Sequence, residues 1–129
     1  MKYSDEVLKR VREPQRVGAL PGDDGDVGTG ETGTLDEGTV TRIQVRVTDQ
    51  TVTEVRFKVF GCSGAIASAS LVAELLEGAS VAEARGLTAE QVVQMLALVP
   101  EREHVARMAV AAAQAALANA EGKRQKAGR

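Results

Sequence analysis

The residue with the greatest scope for chemistry is the single cysteine of this chain of 129 residues, Cys62. It follows an alternating run, Val55 to Phe60, and precedes small and apolar residues spaced for one face of a helix. The sequence therefore predicts a strand, a tight turn at Cys62 and a helix that begins directly after it. The start of a helix favours a thiolate, because its N–H groups are unpaired and carry partial positive charge. Gly61 and Gly64 suit an open, reactive position, while the alternative is a small thiol buried in the turn.

Composition and charge limit the classes of function. Hydrophobic residues make up 43% of the chain and charged residues 26%, which fits one folded domain over residues 1–129. The net charge of -2 argues against nucleic-acid binding, and no apolar run approaches the length of a membrane span. One cysteine cannot form an internal disulfide. The simplest expectation is a cytoplasmic protein without nucleic-acid or membrane partners.

A second alternating run predicts the partner of the strand before Cys62. Residues 41–47 alternate in the same way, and residues 48–51 have the composition of a turn that leads into the strand at 52–60. So short a link makes the pair an antiparallel hairpin, and a short edge strand near residues 29–35 would be the third strand. Helices are predicted before and after the hairpin. The predicted fold class is therefore α+β, a three-stranded antiparallel sheet with helices packed on one face.

Capping residues mark the predicted helices. Ser4 can cap a first helix, and Ser80 and Thr88 each begin a capping box, with Glu or Gln three residues later. An alanine-rich helix is predicted from about Glu101 to Ala120, because alanine has the highest helix propensity. The polar and basic residues 121–129 are predicted to form a frayed tail.

Residues 18–38 differ from the rest of the chain, with seven glycines among acidic side chains. We expect a flexible, glycine-rich loop here, the most mobile internal segment of the chain. Two interpretations stay open for it. It is either a simple connection with one short edge strand, or a lid that closes over a site and delivers a carboxylate.

Five segments, in order, resemble the IscU-type iron–sulfur scaffold, a domain also found at the N-terminus of NifU. They are Y-S-D-E-V at 3–7, E-P-Q-R-V-G at 13–18, V-G-T-G at 27–30, R-F-K-V-F-G-C-S-G-A-I-A-S-A-S at 56–70 and P-E-R-E-H at 100–104. The resemblance implies the same α+β fold and a scaffold in iron–sulfur cluster assembly rather than an enzyme. It also implies a cysteine desulfurase and other iron–sulfur assembly proteins as partners, and a homodimer is possible.

The chain departs from this family at the residues that carry its chemistry. The family has Gly-x-x-x-Cys-Gly-Asp where this chain reads G-T-L-D-E-G-T, so Glu37 replaces the first cysteine and Thr39 the aspartate. Cys62 matches the second cysteine and His104 the histidine, but Val105 replaces the third cysteine. Two of the three family cysteines are therefore absent.

These replacements change the ligands that the resemblance implies. A [2Fe–2S] cluster takes four ligands, mostly thiolates, so it is expected only if two chains share it. Cys62 and His104 are the expected cofactor-binding pair, with Glu37 and Asp36 as further metal ligands. Ligands of S, N and O type fit a single zinc ion with one open position, and ferrous iron is the other choice.

Three functional hypotheses follow. The first is a scaffold-like protein with a degenerate site, which binds one divalent metal or shares a cluster between chains. The second is a non-catalytic relative that binds or regulates a cysteine desulfurase or a scaffold partner. The third is a hydrolase or transferase with Cys62 as nucleophile, His104 as base and Glu37 to orient it. The first is preferred, because nothing in the sequence indicates the substrate pocket that the third requires.

Overall fold

The structure is a computed structural model that describes residues 3–127. Within that range the chain forms five α-helices and one three-stranded sheet. The helices are α1 (Asp5–Arg12), α2 (Ser63–Leu76), α3 (Val81–Arg85), α4 (Ala89–Leu96) and α5 (Glu103–Lys126). The strands are β1 (Val27–Thr34), β2 (Thr39–Thr48) and β3 (Thr51–Phe60), and a 3₁₀ turn, Pro100–Arg102, precedes α5. None of the helices described has both the length and the apolarity that crossing a membrane requires.

The sheet confirms the predicted fold class. Its order is β1-β2-β3, and both pairs of strands are antiparallel. A two-residue turn joins β2 to β3, and its central residues, Asp49 and Gln50, have φ values of 51° and 63°. Such left-handed turns match the twist of a hairpin. Helix α5 packs on β1 and β2, and α2 packs on β3. Helix α1 packs against α2, and α4 packs against α5 and α2.

The capping predictions are also confirmed. The Ser4 hydroxyl accepts a hydrogen bond from the N–H of Val7 at 3.2 Å, at the start of α1. Both capping boxes form, at the starts of α3 and α4. Each satisfies N–H groups that the first turn of a helix leaves unpaired. These short helices are thereby fixed at their first residues, close to the positions that the sequence indicates.

Two glycines allow α5 to lie unusually close to β1. Gly28 and Gly30 point from β1 towards the helix. A Cβ atom on Gly28 would overlap the carbonyl oxygen of Ala116, and one on Gly30 would overlap that of Ala112. The helix is lined with alanine on this side, so backbone packs against backbone over about two turns. Glycine serves here to remove side chains from the contact.

The glycine-rich loop predicted over residues 18–38 is therefore shorter than expected. Residues 27–34 form β1, which pairs with β2 along its length and is covered by α5. Residues before it are tied down as well, because the N–H of Leu20 donates to Oε1 of the buried Gln44 at 2.8 Å. Composition predicted the mobility of this segment poorly, because the glycines of β1 serve close packing against α5 and not backbone flexibility.

The frayed tail predicted over residues 121–129 also needs correction. Helix α5 continues to Lys126, and the last two residues of the chain lie outside the part described. Lys123 Nζ donates to the carbonyl oxygens of Gly22 and Asp24, at 2.6 and 3.2 Å. Basic residues at a helix C-terminus also interact favourably with the helix dipole. The end of α5 is therefore attached to the segment that precedes β1.

Glu77 joins α2 to the segment that follows α1. Partial burial would raise the pKa of this carboxyl, but hydrogen bonds from Arg16 and from the N–H of Val55 outweigh burial and lower the pKa below its ordinary value. The Arg16 bond measures 2.8 Å and the Val55 bond 3.1 Å. The backbone of residues 16–18 in turn pairs with Phe57 at the outer edge of β3. The N-terminal segment is thus anchored to the strand that leads to Cys62.

The close contact between β1 and α5 predicts that Gly30→Ala destabilises the protein. The added methyl group must displace the α5 backbone, and overpacking of this kind costs roughly 1–3 kcal/mol. Urea unfolding followed by circular dichroism measures the change. Gly25→Ala is the matched control, because nothing lies within 4 Å of a Cβ at Gly25. Equal stability of the two variants would contradict the packing described.

Candidate functional site

Cys62 lies where the sequence places it, between the end of β3 and the start of α2. It is the N-cap residue of α2, with φ -77° and ψ 171°, and its carbonyl accepts the first hydrogen bonds of the helix, from Ala65 and Ile66 at 3.1 Å each. Its side chain makes no capping hydrogen bond. The thiol is free and half-buried. It is therefore available for chemistry beside the first turn of a helix of 14 residues.

Side chains from two other parts of the chain, Tyr3 and Val105, lie near the thiol. A Cβ atom built on Gly64 would lie 3.8 Å from Cys62 Sγ, 3.8 Å from the Tyr3 ring and 3.5 Å from Val105 Cγ2. Gly64 itself is buried, so these three side chains converge over the first turn of α2. Val105 is fully buried. Position 105, where the family resemblance predicts a cysteine, thus lies near Cys62.

Arg102 adds a positive charge to this group. Hydrogen bonding to the Tyr3 side chain raises the pKa of Arg102 above its ordinary value, and the nearby Cys62 acts in the same direction. Its Nε atom is buried and has no hydrogen-bond partner among the residues that the structure describes. Sequence reasoning missed Arg102 as a site residue. The signal was its place in P-E-R-E-H, where the family has lysine.

Glu37 and His104 share a neighbouring cavity. It measures about 280 Å³ and is lined by Gly33, Glu37, Thr39, His104 and Met108. Both ionisable side chains are exposed. The Glu37 carboxylate accepts a hydrogen bond from the Thr34 hydroxyl at 3.1 Å. The N–H of Glu37 donates to the oxygen of that hydroxyl at 3.2 Å. The carboxylate is thus held in the turn between β1 and β2, on one side of the cavity.

The two groups of residues adjoin but do not merge. Thr39 lines the Glu37–His104 cavity, and its methyl group lies 3.1 Å from a Cβ built on Gly61, the neighbour of Cys62. Cys62 does not line that cavity, and neither does Asp36, which is exposed in the same turn as Glu37. Within residues 3–127, no three His, Cys, Asp or Glu side chains lie close enough to hold one metal ion.

Comparison with known proteins identifies the family of the chain. Residues 2–127 match the family model described as the NifU-like N terminal domain. The iron–sulfur cluster assembly scaffold protein IscU of Azotobacter vinelandii is 40% identical over 118 residues, which cover 91% of this chain and 92% of that protein. IscU of Escherichia coli K12 is 36% identical over 126 residues, covering 97% of this chain and 98% of its own. The chain belongs to the NifU-like N-terminal domain family.

A solved structure shows the same fold at lower identity. The N-terminal part of a nitrogen-fixing NifU-like protein from Brucella abortus superposes with a TM-score of 0.64 at 20% identity. The superposition covers 95% of this chain and 94% of that one. At this identity the likeness concerns the fold alone. It confirms the IscU/NifU-like architecture that the sequence motifs predict.

The position of Arg102 predicts a charge preference for reagents that reach Cys62. Iodoacetate is anionic and iodoacetamide is neutral, and both alkylate the same thiolate. The rate constant of iodoacetate divided by that of iodoacetamide therefore reports the electrostatic potential at Cys62 and not the fraction of thiolate. We expect Arg102→Gln to lower this ratio by about twofold or more, because one nearby positive charge is removed.

Arg107→Gln is the control for that experiment. Arg107 is exposed on α5 and lines a different cavity, beside Ala89 and Val93. It should leave the ratio of rate constants unchanged. An unchanged ratio in Arg102→Gln would show that the guanidinium does not act on the thiol.

Proposed function

We propose that this protein is an iron–sulfur cluster assembly scaffold-like protein with a degenerate site. Relatives at 36–40% identity over nearly the whole chain, named as such scaffolds, support the general function. The observation that carries the degenerate site is the donor set. Cys62, His104 and Glu37 supply one thiol, one imidazole and one carboxylate at one end of a domain that matches the family model over residues 2–127.

A [2Fe–2S] cluster held by one chain does not fit this site. Such a cluster takes four ligands, mostly thiolates, and this end of the protein offers one thiol. Val105 is buried beside Gly64 and has no donor atom, so it cannot replace the third cysteine. A cluster carried by this protein would therefore be shared between two chains, each of which supplies Cys62. A homodimer belongs to this form of the proposal.

A single divalent ion fits the donor chemistry better. Zinc accepts thiolate, imidazole and carboxylate ligands, and ferrous iron accepts the same set. Glu37 and His104 already line one cavity, and Thr39, which lines it too, contacts the turn that bears Cys62. Asp36 is a second carboxylate in the exposed turn. Cys62, His104 and Glu37 would hold the ion, with Asp36 as a further ligand, and a fourth position would stay open. Because no three such side chains of the described residues lie close enough as they stand, the turn that bears Glu37 would have to move on binding.

The partners proposed are those of a scaffold. They are a cysteine desulfurase and other iron–sulfur assembly proteins, which would meet this protein in the cytoplasm. The protein would hold and pass on metal or cluster and would not catalyse a reaction itself. The half-buried but free thiol of Cys62 is the group that such a partner would need to reach.

Zinc binding tests the single-ion form of the proposal. Calorimetry should show one site of modest affinity that weakens as the pH falls, because protons compete with the metal for thiolate and imidazole. We expect Cys62→Ser to abolish binding, His104→Ala to weaken it strongly and Glu37→Gln to have the smallest effect. Glu90→Gln, at an exposed carboxylate on α4, is the control.

Two results would refute the single-ion form. One is a parent protein that binds no zinc, and the other is a set of variants that all bind like the parent. Either would favour the second hypothesis, a non-catalytic relative that binds or regulates a desulfurase or a scaffold partner.

Anaerobic reconstitution with iron and sulfide tests the missing ligands. The parent should not retain the roughly two irons per chain of a complete cluster, whereas Glu37→Cys with Val105→Cys should do so. Position 105 lies near Gly64 and Cys62, so a thiol there would stand close to the existing one. The matched control is Glu37→Ser with Val105→Ala. A persistent charge-transfer spectrum in the parent at full iron content would contradict the degenerate site.

A further inference from the structure

The cavity that Glu37 and His104 share contains a further potential metal ligand from α5. Met108 lines it as well, four residues after His104. Residues four apart lie on the same face of a helix, and long side chains there lean towards the helix N-terminus. The Met108 side chain therefore extends towards the turn that bears His104. An imidazole and a thioether thus line one cavity of about 280 Å³.

Contacts with β1 hold Met108 in this position. The hydroxyl of Thr32 donates to the carbonyl oxygen of Met108 at 2.8 Å. A Cβ atom built on Gly33 would lie 2.5 Å from the methyl carbon of Met108, so this methyl group packs directly against the strand. The side chain is only half-buried, however, and His104 is exposed. An ion from solvent can therefore reach both donor groups.

Packing against β1 is one role for this methionine, because its flexible side chain fills irregular gaps. A leucine of similar volume would fill the same space. The property that leucine lacks is a sulfur atom on the same helix face as an imidazole. That sulfur is a donor in addition to those of Cys62, His104 and Glu37.

The charge of the cavity favours a cation. Glu37 supplies a carboxylate, and no lysine or arginine lines the cavity within the part of the chain that the structure describes. The other two lining residues, Gly33 and Thr39, are neutral. A cation that enters therefore meets two donor side chains on α5 and one negative charge in the turn between β1 and β2.

We propose that His104 and Met108 form a binding site for a soft monovalent metal ion, Cu(I). Thioether ligands select Cu(I), and imidazole also suits copper. Zinc instead takes thiolate, imidazole and carboxylate ligands, so the thioether gives zinc no advantage. Glu37 contributes its charge to this site. Cys62 is not needed, because it does not line the cavity.

A Cu(I) ion at this site would compete with the divalent ion proposed above, because both use the imidazole of His104. Only this competition rests on the proposed function. The monovalent site stands without it, since it requires neither Cys62 nor a second chain. The two sites differ in their sulfur ligand, which is the thioether of Met108 in one and the thiolate of Cys62 in the other.

Ag(I) is the probe, because it shares the charge and softness of Cu(I) and has no redox chemistry under these conditions. It is titrated into full-length protein that carries ¹³C-labelled methionine methyl groups and a thiol blocked by iodoacetamide. Cys62→Ser protein serves as a second sample with no thiol. We expect the Met108 methyl and His104 ring resonances to shift together and to saturate at one ion per chain. Zn(II) should leave the Met108 methyl resonance in place.

Met95 is the internal control for this titration. It is 49% exposed on α4, whereas the only histidine of the chain lies on α5. Binding of Ag(I) to any accessible thioether would shift the Met95 methyl resonance at least as strongly as that of the half-buried Met108. We expect the Met95 resonance to stay in place until the Met108 site is saturated.

Variants test the ligands. Met108→Leu should weaken Ag(I) binding by about tenfold or more, because even the loss of a group that only supports a metal ligand costs this much. Leucine keeps the volume, so stability in urea should change little. Zinc affinity should also be unchanged in Met108→Leu. Anaerobic competition with a Cu(I) chelator should place the parent and Met108→Leu in the same order for Cu(I).

Three results would overturn the proposal. Equal shifts of the Met95 and Met108 methyl resonances would show binding to accessible thioethers only. A shift at His104 without one at Met108 would assign the ion to the imidazole alone. Unchanged Ag(I) affinity in Met108→Leu would exclude the sulfur as a ligand. A parent protein that binds Ag(I) as expected but no zinc would support this site and refute only the single-ion form of the proposed function.

Discussion

The approach of α5 to β1 is the contact on which the architecture depends. Because Gly28 and Gly30 have no side chains, the helix backbone can lie directly against the strand. The buried alanines of α5 are small enough to allow the same close approach from the helix. That contact sets the height of α5 above the sheet. It thereby fixes where the start of the helix stands, and with it Arg102, His104 and Val105. The site at one end of the molecule is positioned by a packing contact along its middle.

Much of this fold could be predicted from local patterns. Alternation in β2 and β3, the two capping boxes and the turn at Cys62 are all visible in neighbouring residues, and each appears where expected. The glycine-rich stretch was misread as mainly a loop because composition reports a capacity for motion, whereas β1 uses glycine to admit a helix from far along the chain. A contact between residues 28 and 116 produces no periodic pattern among neighbouring residues, so it could not be predicted from the sequence.

The site was predictable in part, for the same reason. Cys62 at the start of α2 follows from the sequence alone, and the family resemblance points to Glu37 and His104, which share a cavity. The sequence did not indicate that Thr39 would stand between that cavity and the Cys62 turn, or that Arg102 would face the thiol. Both depend on how a hairpin turn meets the beginning of α5. Such through-space relations are set by packing and not by spacing along the chain.

The order of these elements has a consequence during synthesis on the ribosome. The strand that needs α5 as its cover is made early, at residues 27–34, but the helix, at residues 103–126, is made after every other element that the structure describes. With glycines on its inner side, β1 has little apolar surface of its own to bury. Ile43 and Val45 of β2, which pair with these glycines, stay uncovered until α5 is present. The nascent chain can form the β2–β3 hairpin and α2 beforehand, because those contacts are local. Closure of the core, and with it assembly of the end that holds His104, must then wait until α5 has left the ribosome.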